Sequence, residues 1–110
     1  MKLPNAARAI VDIEKLRDYC LSESHPRGKH KARVFETALG LTASDASELR
    51  DAILTAIQTE EAVAGEQDEF GRRYIVDFSM QRQDKEAIVR SAWIIRTGEE
   101  MPRLSSCYVL

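Results

Sequence analysis

Apolar residues recur every three or four positions up to about residue 60 and every second position after it, dividing the chain into a helical half and a strand half. Asp12 stands as a cap before Ile13, Leu16 and Cys20, which share helical spacing with Tyr19 beside them, and Ser22 to Pro26 ends that segment. A second helix from Lys29 carries Val34, Phe35, Ala38 and Leu39 on one side. It stops at Gly40, where a left-handed residue suits a helix end. The third helix has the clearest pattern: Thr42 to Asp45 offers caps, Asp45 and Glu48 can form a capping pair, and Ala46, Leu49, Ile53 and Ile57 make the stripe.

Beyond residue 60 the alternation predicts a weak strand at Glu61 to Ala64, a connection from Gly65 to Gly71, and a strand at Arg73 to Met80. Tyr74, Val76, Phe78 and Met80 share one face of it. A polar turn at Gln81 to Lys85 leads into Glu86 to Arg96, which has Val89, Trp93 and Ile95 on one face and Ile88, Ala92 and Ile94 on the other. Apolar residues on both faces mark a central strand. Thr97 to Pro102 then turns the chain into Arg103 to Leu110. The fold class is α+β: three N-terminal helices packed on one face of a three- to four-stranded antiparallel meander, in a single domain spanning 1–110. If Phe78 pairs with Val89, then Val76 meets Ser91, Tyr74 meets Trp93 and Asp77 meets Arg90. Helices with one stripe each cannot cover both sides, so the face holding Arg90 stays open.

Composition narrows the function classes. A chain with 44% hydrophobic and 31% charged residues has the make-up of a folded globular domain. Its 16 basic and 18 acidic residues leave a net charge of -2, so any contact with nucleic acid must be a local patch. The longest apolar runs are far short of the roughly 20 residues that span a bilayer. Met1 to Pro4 opens no signal-peptide pattern, and the expectation is a cytoplasmic protein without membrane association. Cys20 and Cys107 form neither a disulfide framework nor a metal spacing and are expected as buried thiols. Dinucleotide, P-loop, serine-hydrolase and zinc motifs are absent, so no cofactor or metal is expected.

The candidate chemistry lies in His25 to Arg33, a run that holds both histidines together with Arg27, Lys29, Lys31 and Arg33. A glycine-containing loop entering a helix offers backbone N–H groups and a positive dipole end to a phosphate. There His30 would act as acid or base, with His25, Arg27 and Lys29 as further substrate contacts. The other reading is a solvated loop with a capping histidine. Arg90 poses a similar choice, because a guanidinium that never discharges must meet either a carboxylate, here Asp77, or an anionic ligand. Thr97, Ser105, Ser106 and Tyr108 lie around the last turn and strand as hydrogen-bond donors. The acidic residues Glu60, Glu61, Glu66, Asp68 and Glu69 read as a solvated loop or a weak site for a divalent cation.

Several separated segments agree, in order, with one family: Leu3-Pro4-Asn5-Ala6, His25-Pro26-Arg27-Gly28-Lys29-His30-Lys31-Ala32-Arg33-Val34-Phe35, Ala38-Leu39-Gly40, Arg90-Ser91-Ala92-Trp93-Ile94, and Pro102-Arg103-Leu104 through Tyr108. Together they resemble a bacterial domain family of unknown function found both free-standing and as the C-terminal module of secreted polymorphic toxins. That context, with helices followed by an antiparallel sheet, is similar to the barnase/EndoU/colicin/RelE group of metal-independent ribonucleases. The resemblance implies RNA as substrate and His30, Lys31, Arg90, Thr97, Ser106 and Tyr108 as a catalytic set. It equally admits a non-catalytic module that binds a small neighbour-encoded protein of immunity or antitoxin type. Convergence of His30, Lys31 and Arg90 in one cleft is the expectation that separates the two.

Overall fold

The computed structural model describes residues 1–110. Helical segments occupy the first half and an antiparallel sheet the second, the α+β arrangement expected. The helices are α1 (Ile13–Lys15), which runs directly into a π-helical turn at Leu16–Cys20, α2 (Lys29–Leu39) and α3 (Ala46–Ala56). The strands are β1 (Ala62–Asp68), β2 (Gly71–Arg82), β3 (Lys85–Arg96) and β4 (Arg103–Val109), paired in sequence order. No helix is long and apolar enough to cross a membrane.

The first helix differs from a simple α-helix. Leu21 N–H reaches back to the Leu16 carbonyl at 2.8 Å, and this wider turn lets Leu16, Cys20 and Leu21 all enter the core. Asp12 occupies the cap position, but its side chain makes no capping bond. Gly40 does end α2 in the left-handed region, at φ 67, where its N–H meets the Glu36 carbonyl at 2.8 Å. Before α3 the cap is made by Thr42 with Asp45, whose carboxylate accepts from the Thr42 N–H at 2.9 Å, and not by Asp45 with Glu48. Glu48 is instead turned to Arg82 at 2.8 Å. The same Arg82 donates to the Leu39 and Gly40 carbonyls at 3.2 and 2.9 Å and pairs with Asp45 at 3.3 Å. One guanidinium thus ties the end of α2 and the start of α3 to the end of β2.

β1 runs on to Asp68, through Gly65 and a bulge between Ala64 and Gln67, so the connection to β2 shrinks to Glu69 and Phe70. Most of β1 is exposed, and backbone pairing rather than burial holds its second half. The β2–β3 register matches the expectation pair by pair: Phe78 with Val89, Asp77 with Arg90, Val76 with Ser91 and Tyr74 with Trp93. Phe35, Leu49, Ile53, Phe78, Val89 and Trp93 belong to one cluster of 21 buried residues between helices and sheet. Ser91, buried among them, accepts from the Trp93 indole N–H at 2.9 Å and donates to the Val76 carbonyl at 2.7 Å, so neither polar group is orphaned.

The first ten residues strap this assembly. Met1 O accepts from Ala62 N–H at 2.6 Å, Asn5 Nδ2 donates to Glu100 O at 2.9 Å, and Ile10 bonds to both Pro102 and Leu104. Glu61 meets Lys2 at 2.8 Å and also the terminal ammonium, and these cations, Lys2 first, hold its carboxyl down at about 2.

Two measurements check this packing. Trp93→Ala should cost roughly 3–5 kcal/mol in chemical denaturation, while Arg27→Ala, exposed on a loop, should stay within about 0.5 kcal/mol. A carboxyl depressed in the fold supports it above the ordinary value of 4.5 and loses that support as pH falls toward 2. NMR titration of Glu61 should therefore show a midpoint near 2, and Lys2→Ala should move it up toward 4.5.

Candidate functional site

Residues alternate across a strand, so the register that buries Val89, Ser91 and Trp93 turns Ile88, Arg90, Ala92 and Ile94 to the opposite side. On that uncovered face β2 contributes Ile75 and Asp77, and β4 contributes Ser106 opposite Ala92 and Tyr108 opposite Arg90. Arg90 grips Asp77 in a two-pronged bond, Nε to Oδ1 and Nη2 to Oδ2, both at 2.9 Å. Asp77, and after it the Tyr108 phenol, keep the guanidinium above its ordinary value. With 32% and 36% of the two side chains exposed, the pair is reachable from solvent and still able to meet an anion.

Tyr108 is the meeting point. Lys31 comes from α2 around the β4 edge and sets its ammonium 4.6 Å from the centre of the Tyr108 ring. Lys31 and Arg90, far apart in sequence, thus converge on one aromatic side chain. His30 does not join them by contact. It is exposed, and stands one residue earlier, about 100° around a helix of 3.6 residues per turn. Ser106 Oγ is buried without a partner, two residues from Tyr108 on the same face. Thr97 lies past the end of β3 and donates to the Glu69 carbonyl at 2.8 Å. At about 3.3 Å per residue it is roughly 20 Å along the strand from Arg90.

The loop before α2 is built differently from an open phosphate cradle. His25 Nδ1 accepts from the backbone N–H of Arg27 at 3.0 Å and of Gly28 at 3.1 Å, and its carbonyl accepts from Lys29 N–H at 3.0 Å. Those N–H groups are therefore spent inside the loop. The His25 ring stands edge-on to Tyr19, centroids 4.7 Å apart. A Cβ on Gly28 would lie 2.2 Å from the Tyr19 carbonyl oxygen, so the loop can close on the first helix only with glycine there. Neither histidine caps α2, whose N-cap is Gly28 without a side-chain bond; His25 instead closes the loop before it, and the arrangement depends on Tyr19, which the spacing of the basic run gave no reason to single out. Arg27 is exposed and Lys29 half-buried, each side chain without an ion pair.

Charge is unequal across the open face. Toward β1, a hollow of about 370 Å³ is lined by Glu60, Glu61, Val63, Ile75, Asp77 and Arg90, three carboxylates against one cation. Toward β4, Lys31 and Arg90 flank Tyr108, while Asp77 lies on the other side of Arg90, on β2. An anion is favoured only on the β4 side. Behind Lys31, Cys107 and Cys20 are both buried and unoxidised, and their mutual hydrogen bond and then burial push the Cys107 thiol well above its ordinary value.

A family model described as a domain of unknown function, DUF6883, matches residues 2–110. A search of curated proteins finds no match to the chain.

The two histidines should separate in denaturation. His25→Ala, which removes the acceptor for two N–H groups, should cost about 1 kcal/mol, whereas His30→Ala should stay within about 0.5 kcal/mol. The reverse order would overturn the assignment of His25 as the residue that closes the loop.

Proposed function

The chain belongs to the DUF6883 family, and we propose that it acts as a toxin-like, metal-independent RNA-cleaving domain. The observation that carries this reading is the convergence of Lys31 and Arg90 on Tyr108 at the uncovered sheet face. A half-buried aromatic ring on an open sheet face, beside two cations, is suited to stacking a splayed base while its phosphate is neutralised. Single-stranded RNA fits the geometry better than duplex, since the cationic patch is local and the net charge is -2.

In this mechanism the ribose 2′-oxygen bonds to its own phosphorus while the bond to the 5′-oxygen breaks. His30, one residue before Lys31 and outside the contact patch, takes the 2′-hydroxyl proton through a bridging water, and the leaving 5′-oxygen collects one from water. Lys31 and Arg90 stabilise the charge that develops on the phosphoryl oxygens. Arg90 is held for that task by Asp77, which also lowers the net positive charge at the site. Ser106 supplies a hydroxyl with no internal partner to the same face. His25, Arg27 and Lys29 extend the contact surface along the loop, and Thr97 stands outside this patch. The products are a 2′,3′-cyclic phosphate and a 5′-hydroxyl.

A second reading rests on a separate observation. Val63 and Ile88 are 67% and 44% exposed on the same open face, which gives a partner protein apolar surface to cover. A small immunity- or antitoxin-like protein seated there would block Arg90 and Tyr108 together.

Incubation with total RNA in EDTA tests the first reading. Wild type should produce cyclic-phosphate ends, His30→Ala should lower the rate at least about a hundredfold with the denaturation midpoint unchanged, and Lys31→Ala should weaken RNA binding and cleavage. No cleavage across varied substrates by a folded wild type would sink catalysis and leave the partner-binding reading.

A further inference from the structure

The strands are unequal in length, and the mismatch leaves a gap in the sheet. β2 pairs with β3 along its whole length, but β1 begins opposite Val76. From Asp77 to Arg82, six residues of β2 have no neighbour on that side. α3 does not fill the space. A groove of about 590 Å³ runs between the α3 surface around Asp51, Ala52 and Thr55 and the β2 edge from Phe78 to Gln81. Ala52 and Ala56 keep the helix wall low, and Phe78 and Met80 close the bottom.

Alternate residues of an unpaired strand point both backbone groups outward, and such an edge is a template for another strand. Other edges of this sheet are guarded. β1 is bulged, and β4 is bridged by Ile10 at Arg103. The Asp77–Arg82 edge has no proline, no lysine and no bulge, and the side chain of Arg82 is folded back onto Asp45 and Glu48. The groove's charge is one-sided: Glu48, Asp51 and Glu60 line it and no cation does. Of these three groove carboxylates Arg82 neutralises only Glu48. Asp51 is only loosely paired, at 3.9 Å from Arg50, and Glu60 is unpaired.

We propose that this groove binds an extended, lysine- or arginine-bearing segment of a partner protein, which adds to β2 as a strand in line with β1. Six residues at about 3.3 Å each give a slot of roughly 20 Å, enough for a short peptide. Main-chain bonds to β2 supply the grip, and Asp51 and Glu60 select the charge. The proposal does not depend on RNA cleavage, since the groove is on the β1 side of the sheet and Lys31 reaches Tyr108 around the β4 edge.

The probe is a fluorescein-labelled, acetylated hexapeptide of alternating Lys and Val, followed by anisotropy and by amide hydrogen exchange. Saturable binding is expected, with slowed exchange within Phe78 to Gln81. The Asp51→Lys, Glu60→Lys double variant should bind at least about tenfold more weakly. N-methylation of alternate peptide amides should abolish binding, because only strand pairing uses those groups. Asp51 is exposed and Glu60 half-buried, and if the double variant fails to fold, a peptide with Glu in place of Lys, read on wild type, decides the charge preference. The proposal is overturned by absence of saturable binding, by equal binding of the Glu or N-methylated peptides, or by self-association of the chain that protects the same amides without peptide.

Discussion

The indole nitrogen of Trp93 lies where no water reaches it, and the hydroxyl of Ser91 is its acceptor. That hydroxyl in turn donates across to the Val76 carbonyl on β2, so a chain of two hydrogen bonds spans the central strand pair inside an otherwise apolar layer. A slip of one residue between β2 and β3 would strand these groups unpaired and turn every side chain to the wrong face. The register protected on the buried side is the one that sets Asp77 against Arg90 and Arg90 against Tyr108 on the other. The open-face constellation is therefore specified from behind, by residues that never touch it.

With the helices all committed to one layer, charge on the exposed sheet surface sorts laterally. Carboxylates gather toward β1, while Lys31 brings a second cation to the β4 side. A chain of net charge -2 thereby holds a cationic patch and an acidic groove at different margins of one sheet. At physiological salt, fields fade over about 8 Å, so each margin acts largely on its own ligand.

The strand half was legible in the sequence because alternation has a period of two and tolerates no ambiguity once Phe78 is set against Val89. Asp77 and Arg90 followed from that pairing. The π-turn at Leu16–Cys20 was not legible: Leu16 and Cys20 are four apart in either helix type, and the backbone bond that distinguishes them leaves no mark on side-chain spacing. The length of β1 escaped for another reason, since Glu66, Gln67 and Asp68 bury nothing and are strand only through their backbone partners. The start of β1 was legible to within a residue, but which part of β2 it faces depends on the bulge and the short connection at Glu69 and Phe70, so the groove was hidden, and Glu60 read as part of a solvated loop. The histidines show a third limit. Two identical residues in one basic run differ in role because Tyr19 and Gly28 fold the loop onto His25, a tertiary fact that local pattern does not carry.

The strap formed by the first ten residues bears on how the chain is made. Hairpins β2–β3 and β3–β4 join neighbours in sequence, but Asn5 and Ile10 find their partners at Glu100, Pro102 and Leu104. Synthesis runs from the amino end, so Asn5 and Ile10 emerge well before Glu100, Pro102 and Leu104 and must wait for them before they can dock. Until then Ile10 and Val11 lack their cover, and the helices have only a partial sheet to pack against. The domain should close late and in one step, once β4 has emerged, and until then the growing chain passes through a period in which its core is open to chaperones.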